Sequence, residues 1–147
     1  QRQQRLDIRI APDLQVVGDV SRLAQVVRNL LANAAKFTPA GGRIEVEARR
    51  EGTEVVVRVR DTGAGFPPER AEHLFEPYTQ SGSAHTEDVH AGLGLGLAIA
   101  REIMTLHGGS VTAHSEGPGR GAEFVLRLPS ADVALSAAVS GQINTET

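Results

Sequence analysis

Cysteine is absent from the 147 residues, which excludes disulfides, thiolate zinc sites, iron–sulfur clusters and cysteine nucleophiles together. Tryptophan is absent as well. The five remaining aromatics (Phe37, Phe66, Phe75, Tyr78, Phe124) are too few for a base-stacking nucleic-acid platform. The net charge of −3 leaves no basic footprint for a polyanion. No apolar run approaches the ~18–20 residues of a membrane span, and no hydrophobic leader opens the sequence. Neither nucleic acid nor membrane is therefore expected as a direct partner. Lysine is almost missing: of fifteen basic residues only Lys36 is not arginine. Glycine is the opposite case, because eleven of the sixteen fall between Asp61 and Gly121. Glycine that dense marks turns or a backbone that approaches a ligand. The length suits one domain, and a chain of this size buries roughly 68–70% of its extended surface.

Residues 1–6 are polar and read as the end of an upstream helix or a linker. Asp7–Ala11 and Gln15–Gly18 are strand candidates around a Pro12-Asp13 turn. Asp19 has the character of an N-cap for a helix reaching about Phe37, with Leu23, Val26, Val27, Leu30, Leu31 and Ala34 forming an apolar stripe. Alternation predicts a strand over Arg43–Arg49 and a return strand over Val55–Arg60, with Glu51–Glu54 as the turn. Residues 62–91 carry little periodicity beyond a helical hint at Glu69–Leu74, as expected of a functional lid. A helix over about Leu95–His107, stopped by Gly108-Gly109, precedes a hairpin of Val111–Ser115 and Ala122–Leu128. Residues 130–147 read as a flexible tail or linker. Strands pairing mostly as hairpins, with helices between them, predict an α+β two-layer sandwich rather than a βαβ parallel sheet.

Three segments could carry chemistry. On the first helix Arg22, Gln25, Asn29, Asn33 and Lys36 recur at spacings of 3, 4, 4 and 3, a polar stripe opposite the apolar face. Every amphipathic helix has a solvated face, but such faces mix Glu and Lys; this one carries two asparagines, which are poor helix formers. An asparagine carbonyl can ligate a magnesium ion that otherwise keeps water and phosphate oxygens, and a lysine one turn on can meet phosphate. Asp61-Thr62-Gly63-Ala64-Gly65 ends a strand, where a plain turn competes with a base-recognition loop. An ionised carboxylate only accepts hydrogen bonds, so as a base reader it selects an amino-bearing base, adenine over guanine. Gly92-Leu93-Gly94-Leu95-Gly96-Leu97 opens a helix and offers free amides and the positive dipole end to an anion, against the plainer role of a hinge. The five histidines have no zinc-ligand spacing, and His107 reads as a helix cap.

Taken together, these segments resemble the catalytic, ATP-binding domain of two-component sensor histidine kinases, in the GHKL superfamily. Arg22–Thr38 is similar to the N box, Asp61–Gly65 to the first glycine box, Leu74-Phe75-Glu76-Pro77-Tyr78 to the F box and Gly92–Leu97 to the second glycine box. His107-Gly108-Gly109 and Phe124…Leu128-Pro129 are also typical, and the likeness spans about residues 15–129. It implies a Bergerat-type α/β sandwich, a mixed sheet of about five strands on about three helices, over residues 7–129, with ATP under a mobile lid. It implies Asn33 as the Mg²⁺ ligand supported by Asn29, Lys36 on the phosphates and Asp61 on adenine. Gly63 and Gly65 would shape the base pocket, and the backbone of Gly92, Leu93, Gly94, Leu95 and Gly96 would hold phosphate. Asn29 and Lys36 would serve the reaction itself, transfer of the γ-phosphoryl group to a histidine.

The related gyrase-like ATPases place a glutamate base where this chain has Asn29, so slow hydrolysis is expected. Leu93 stands where the family often has Thr or Ser, Ala122 where it often has Thr, and no Lys or Arg lies between Arg70 and Arg101. Glu72, Glu76, Glu87 and Asp88 make the lid acidic instead. These departures favour a competing class, a module that holds nucleotide without transferring phosphate; Asn33, Lys36 and Asp61 weigh against it. A serine-directed kinase of the same superfamily fits less well. No histidine here has an acceptor context, so the resemblance implies a histidine-bearing dimerisation domain as partner, a response-regulator receiver domain further on, and a cytoplasmic location within a membrane-anchored or soluble hybrid kinase.

Overall fold

The computed structural model describes residues 3–77 and 95–136. Five strands form one sheet: β1 (Arg5–Ile10), β2 (Arg43–Glu51), β3 (Glu54–Asp61), β4 (Ser110–His114) and β5 (Ala122–Pro129), in the order β1-β2-β3-β5-β4. Two helices, α1 (Val20–Phe37) and α2 (Gly96–Leu106), pack on one face. β1 runs parallel to β2 across α1, a single βαβ unit at the edge of an otherwise antiparallel sheet. The expected α+β sandwich with a mixed sheet of five strands is the fold observed.

Local chemistry explains the elements. The Asp19 side chain accepts from Arg22 N at 3.1 Å, capping α1 as the sequence predicts. Val26, Leu30 and Ala34 form its fully buried ridge, each Val or Leu contributing about 1.5–3 kcal/mol through burial. At its other end the Gln4 side-chain amide donates to the carbonyls of Ala35 and Thr38, where a helix end calls for outside donors. A Schellman turn closes α2: Gly109 N donates to Met104 O and Gly108 N to Thr105 O, with Gly108 at φ 74°. Alternate residues of the central strands (Ile44, Val46, Val59, Phe124, Leu126) meet the helices in one core.

Several sequence expectations are corrected. Residues 5 and 6 open β1 instead of ending a linker. Gln15–Gly18 is not a strand: among the described residues it joins no ladder, and Gln15 O accepts instead from Ala131 N, at the start of a helical segment over 131–136 where a tail was expected. The hairpin turn contracts to Gly52-Thr53, since Glu51 and Glu54 are paired. The hint at Glu69–Leu74 resolves into two 3-10 turns, Pro68–Arg70 and Glu72–Phe75.

The two sheet faces differ. On the face away from the helices Arg58 holds Glu51 at 2.7 Å and Arg60 holds Glu123 at 2.6 Å. Val56 lies on that wet face yet is 0% exposed, because it sits in register between Arg49 and Arg127, whose stems cover it. On the helix side the cover stops before β1, where Leu6, Ile8 and Ile10, in register with buried Ile44, Val46 and Ala48, are 53%, 56% and 67% exposed.

Candidate functional site

α1 organises the site. Its polar stripe lies about 100° around the helix from the Val26, Leu30, Ala34 ridge at 3.6 residues per turn, so it flanks the buried ridge rather than opposing it. Gln25, Asn29, Asn33 and Lys36 are accordingly half-buried, and only Arg22 is exposed. The Asn29 side chain donates to Gly96 O at 3.0 Å, joining the stripe to the first residue of α2. Lys36 Nζ stands 5.2 Å from the Phe37 ring centroid. Leu95 caps α2 and its carbonyl accepts from Ile99 N. Gly92, Leu93 and Gly94, with Tyr78 and most of the expected lid, lie outside the described residues.

At the other end stands Asp61, last residue of β3 and 6% exposed. One carboxylate oxygen accepts from Gly63 N at 2.8 Å. Burial raises its pKa; the Gly63 and Ala122 amides, donating to it, oppose that shift. Position 122, where a threonine side chain was missed, therefore serves Asp61 through its backbone.

The glycines of the Asp61 loop have a role that sequence spacing does not reveal. A Cβ at Gly63 would lie 2.2 Å from Phe37 O, and Ala64 N donates to that same carbonyl at 3.0 Å. Gly65, at φ 63°, would place a Cβ 2.4 Å from Gly117 O. These glycines let the loop seat against the end of α1 and the β4–β5 turn, so the close approach they permit is to the protein's own backbone. Two partners in that lock were missed. Ser115, buried, accepts from Phe66 N through its hydroxyl and donates to Gly121 O at 2.7 Å. Gly121 N in turn donates to Gly63 O at 3.1 Å. The alternation Gly117, Gly119, Gly121 after Ser115 was the available signal.

The F-box segment is held from α2. Arg101 pairs with Glu72 at 3.0 Å and lies 4.2 Å over the Phe75 ring, which meets Phe124 edge-on. One of the acidic lid residues is thus already matched by a cation. Among the described residues no three His, Asp or Glu side chains gather as a metal site, and no helix is long and apolar enough to cross a membrane.

A family model described as "Histidine kinase-, DNA gyrase B-, and HSP90-like ATPase" matches residues 18–132. Sensor histidine kinase RcsC of Escherichia coli strain K12 is 42% identical over 122 residues, which cover 82% of this chain and 12% of that protein. The chain thus spans only about an eighth of this curated relative. Among solved structures, the mycobacterial sensor histidine kinase MprB superposes with a TM-score of 0.78 at 32% identity, over 88% of this chain and 85% of that one. Full-length ShkA in complex with AMPPNP gives 0.73 at 33% identity, over 87% of this chain and 26% of that one.

Proposed function

The chain belongs to the family of histidine kinase-, DNA gyrase B- and HSP90-like ATPases, as a catalytic domain of the sensor-kinase kind, and we propose that it binds Mg-ATP along the stripe of α1 and donates the γ-phosphoryl group to a histidine of a separate dimerisation domain. One observation carries the reading. The stripe from Asn29 to Phe37 spans about 12 Å at 1.5 Å per residue, with α2's first residue bonded at one end and the Asp61 loop at the other. That is an anion-binding helix start and a buried acceptor, set apart as a triphosphate and its base require.

Each residue then has a task. Asp61 accepts from the amino group of adenine and has no hydrogen to offer the oxo group of guanine. Gly63 and Gly65 hold that carboxylate's loop in place. The α2 amides around Gly96 and the Lys36 cation take phosphate charge, with Gly92, Leu93, Gly94 and Leu95 continuing the same backbone cradle. The donor set fits a magnesium ion that arrives with phosphate oxygens and water, with the Asn33 amide oxygen as its protein ligand beside Asn29; bound there, it would neutralise developing phosphoryl charge.

Transfer forms a bond from phosphorus to an imidazole nitrogen of the partner as the bond to the ADP oxygen breaks. Asn29 cannot accept a proton from water, so hydrolysis is slow and the phosphoryl group is kept for its acceptor. A receiver domain of a response regulator would take it next. The domain acts on the cytoplasmic side, and neither nucleic acid nor membrane contacts it.

The test mixes this chain with labelled Mg-ATP and a dimerisation domain bearing its histidine. Label should pass to the histidine with little free phosphate released. Tight nucleotide binding with no transfer to any such domain would identify a nucleotide-holding module, and steady-state hydrolysis at a gyrase-like rate would overturn the role given to Asn29.

A further inference from the structure

We propose that His107 is a positioning residue of the nucleotide site, a side-chain bolt that fixes the far end of α2 to the start of α1. His107 Nδ1 lies 2.8 Å from Ile103 O, and a carbonyl only accepts, so the ring hydrogen is on Nδ1. Nε2 lies 3.0 Å from Asp19 N, and an amide N–H only donates, so Nε2 receives that bond through its lone pair. The two contacts together fix one tautomer and one ring orientation. The cap of α2 does not require this ring, because the backbone N–H of His107 already donates to Ile103 O and Met104 O. Gly18 leaves room for it: a Cβ there would lie 2.4 Å from His107 Cδ2 and 2.9 Å from Nε2.

The consequence follows from where the two bolts sit. Asp19 to Asn29 is about 15 Å of α1, and Gly96 to His107 is about 16 Å of α2, at 1.5 Å per residue. Asn29 bonds Gly96 O at one end of this antiparallel pair and His107 bonds Asp19 N at the other. The first bolt lies in the phosphate region; the second lies a helix length away and touches no substrate. Core packing of Ala100, Ile103 and Met104 keeps α2 on α1, and without the second bolt the α2 axis can tilt within that packing, which turns the N-terminal amides that face phosphate. This inference rests on the nucleotide reading of α1 and goes beyond it by assigning a residue outside the site.

The test measures ATP affinity by calorimetry for the 147-residue chain and its variants. His107→Ala should bind ATP more weakly by a factor of up to about fivefold, the ceiling that a hydrogen bond of ordinary worth sets. His107→Gln, whose amide oxygen can take the place of Nε2, should recover most of it. Gly18→Ala, whose methyl displaces the ring, should match His107→Ala, and the double variant should be no worse than either. Nitrogen–proton correlation spectra of the ring should show Nε2 without hydrogen in the wild type and a changed signal in Gly18→Ala.

Wild-type affinity in both His107→Ala and His107→Gln would overturn the proposal, as would a ring hydrogen on Nε2; a loss that Gln does not rescue would leave only packing and overturn it as well. If Asp61→Asn binds ATP like the wild type, the nucleotide reading is the one that fails, and the ring spectrum still reports the bolt.

Discussion

At the C-terminal end of α1 the site is backbone packed on backbone: Phe37 O lies against Gly63, and Gly65 against the turn that Ser115 and Gly121 hold. Two turns earlier, at Asn29, it is a side-chain bond to the first residue of a helix. On the proposed reading, base recognition would thus be built into the fold, where it cannot drift without unfolding the loop. On the same reading, phosphate would be met by Lys36, Asn33 and the amides that open α2, a set held to α1 by the Asn29 side chain. The proposed transfer, which holds one nucleotide and passes its γ-phosphoryl group to a partner, would draw on that division.

Identical substitutions at the two ends should therefore diverge most. Gly63→Ala forces a methyl into Phe37 O and should lower the unfolding free energy by about 3 kcal/mol, the upper range for overpacking. Among the described residues Gly96→Ala meets nothing nearer than Asn29 at 3.9 Å, and it should stay within about 0.5 kcal/mol of wild type. Urea titration of both variants checks the contrast, and equal losses would remove it.

Chemistry should show the reverse asymmetry. Asn33→Ala should leave stability within about 0.5 kcal/mol while phosphoryl transfer falls at least about tenfold, the worth of one contact to a charged group. A rate unchanged in a transfer assay would take Asn33 out of the site.

The smallest effect concerns a carboxylate outside the site. Hydrogen bonds from Arg58 and then Arg49 hold the Glu51 carboxyl down to about 2. A lowered pKa means that its stabilisation is complete above the ordinary value of 4.5 and is lost as pH falls toward 2. Glu51→Gln should thus melt slightly below wild type at neutral pH, with the gap closing through that window in thermal scans. A gap that persists to pH 2 would contradict the ion pairing. Asp61 has the opposite sign: burial raises its pKa, so its ionisation works against the unliganded fold as pH rises above 3.8.

Much of this was legible in the chain. The Asp19 cap, the α1 periodicity, the β2–β3 hairpin and the glycine stop after His107 are local, and local chemistry decided them. What escaped depends on partners distant in sequence. β1 hid its first two residues in a polar run because an edge strand asks little of its composition. Gln15–Gly18 looked like a strand from Val16 and Val17, but Val16 packs on the core while the backbone joins no ladder among the described residues. The Asp61 loop was found as a motif, yet its glycines face protein carbonyls that no spacing could reveal. His107 was read as a cap because Asp19, eighty-eight positions away, is visible only in three dimensions.

On the proposed reading a fold-locked Asp61 selects adenine. Calorimetric titration of wild type and Asp61→Asn with ATP and GTP tests it most directly. The wild type should bind ATP and discriminate against GTP, and Asp61→Asn should lose at least about tenfold in ATP affinity, the worth of a hydrogen bond to a charged acceptor. Asp61→Asn binding ATP as tightly as the wild type, or wild type taking GTP equally well, would contradict it.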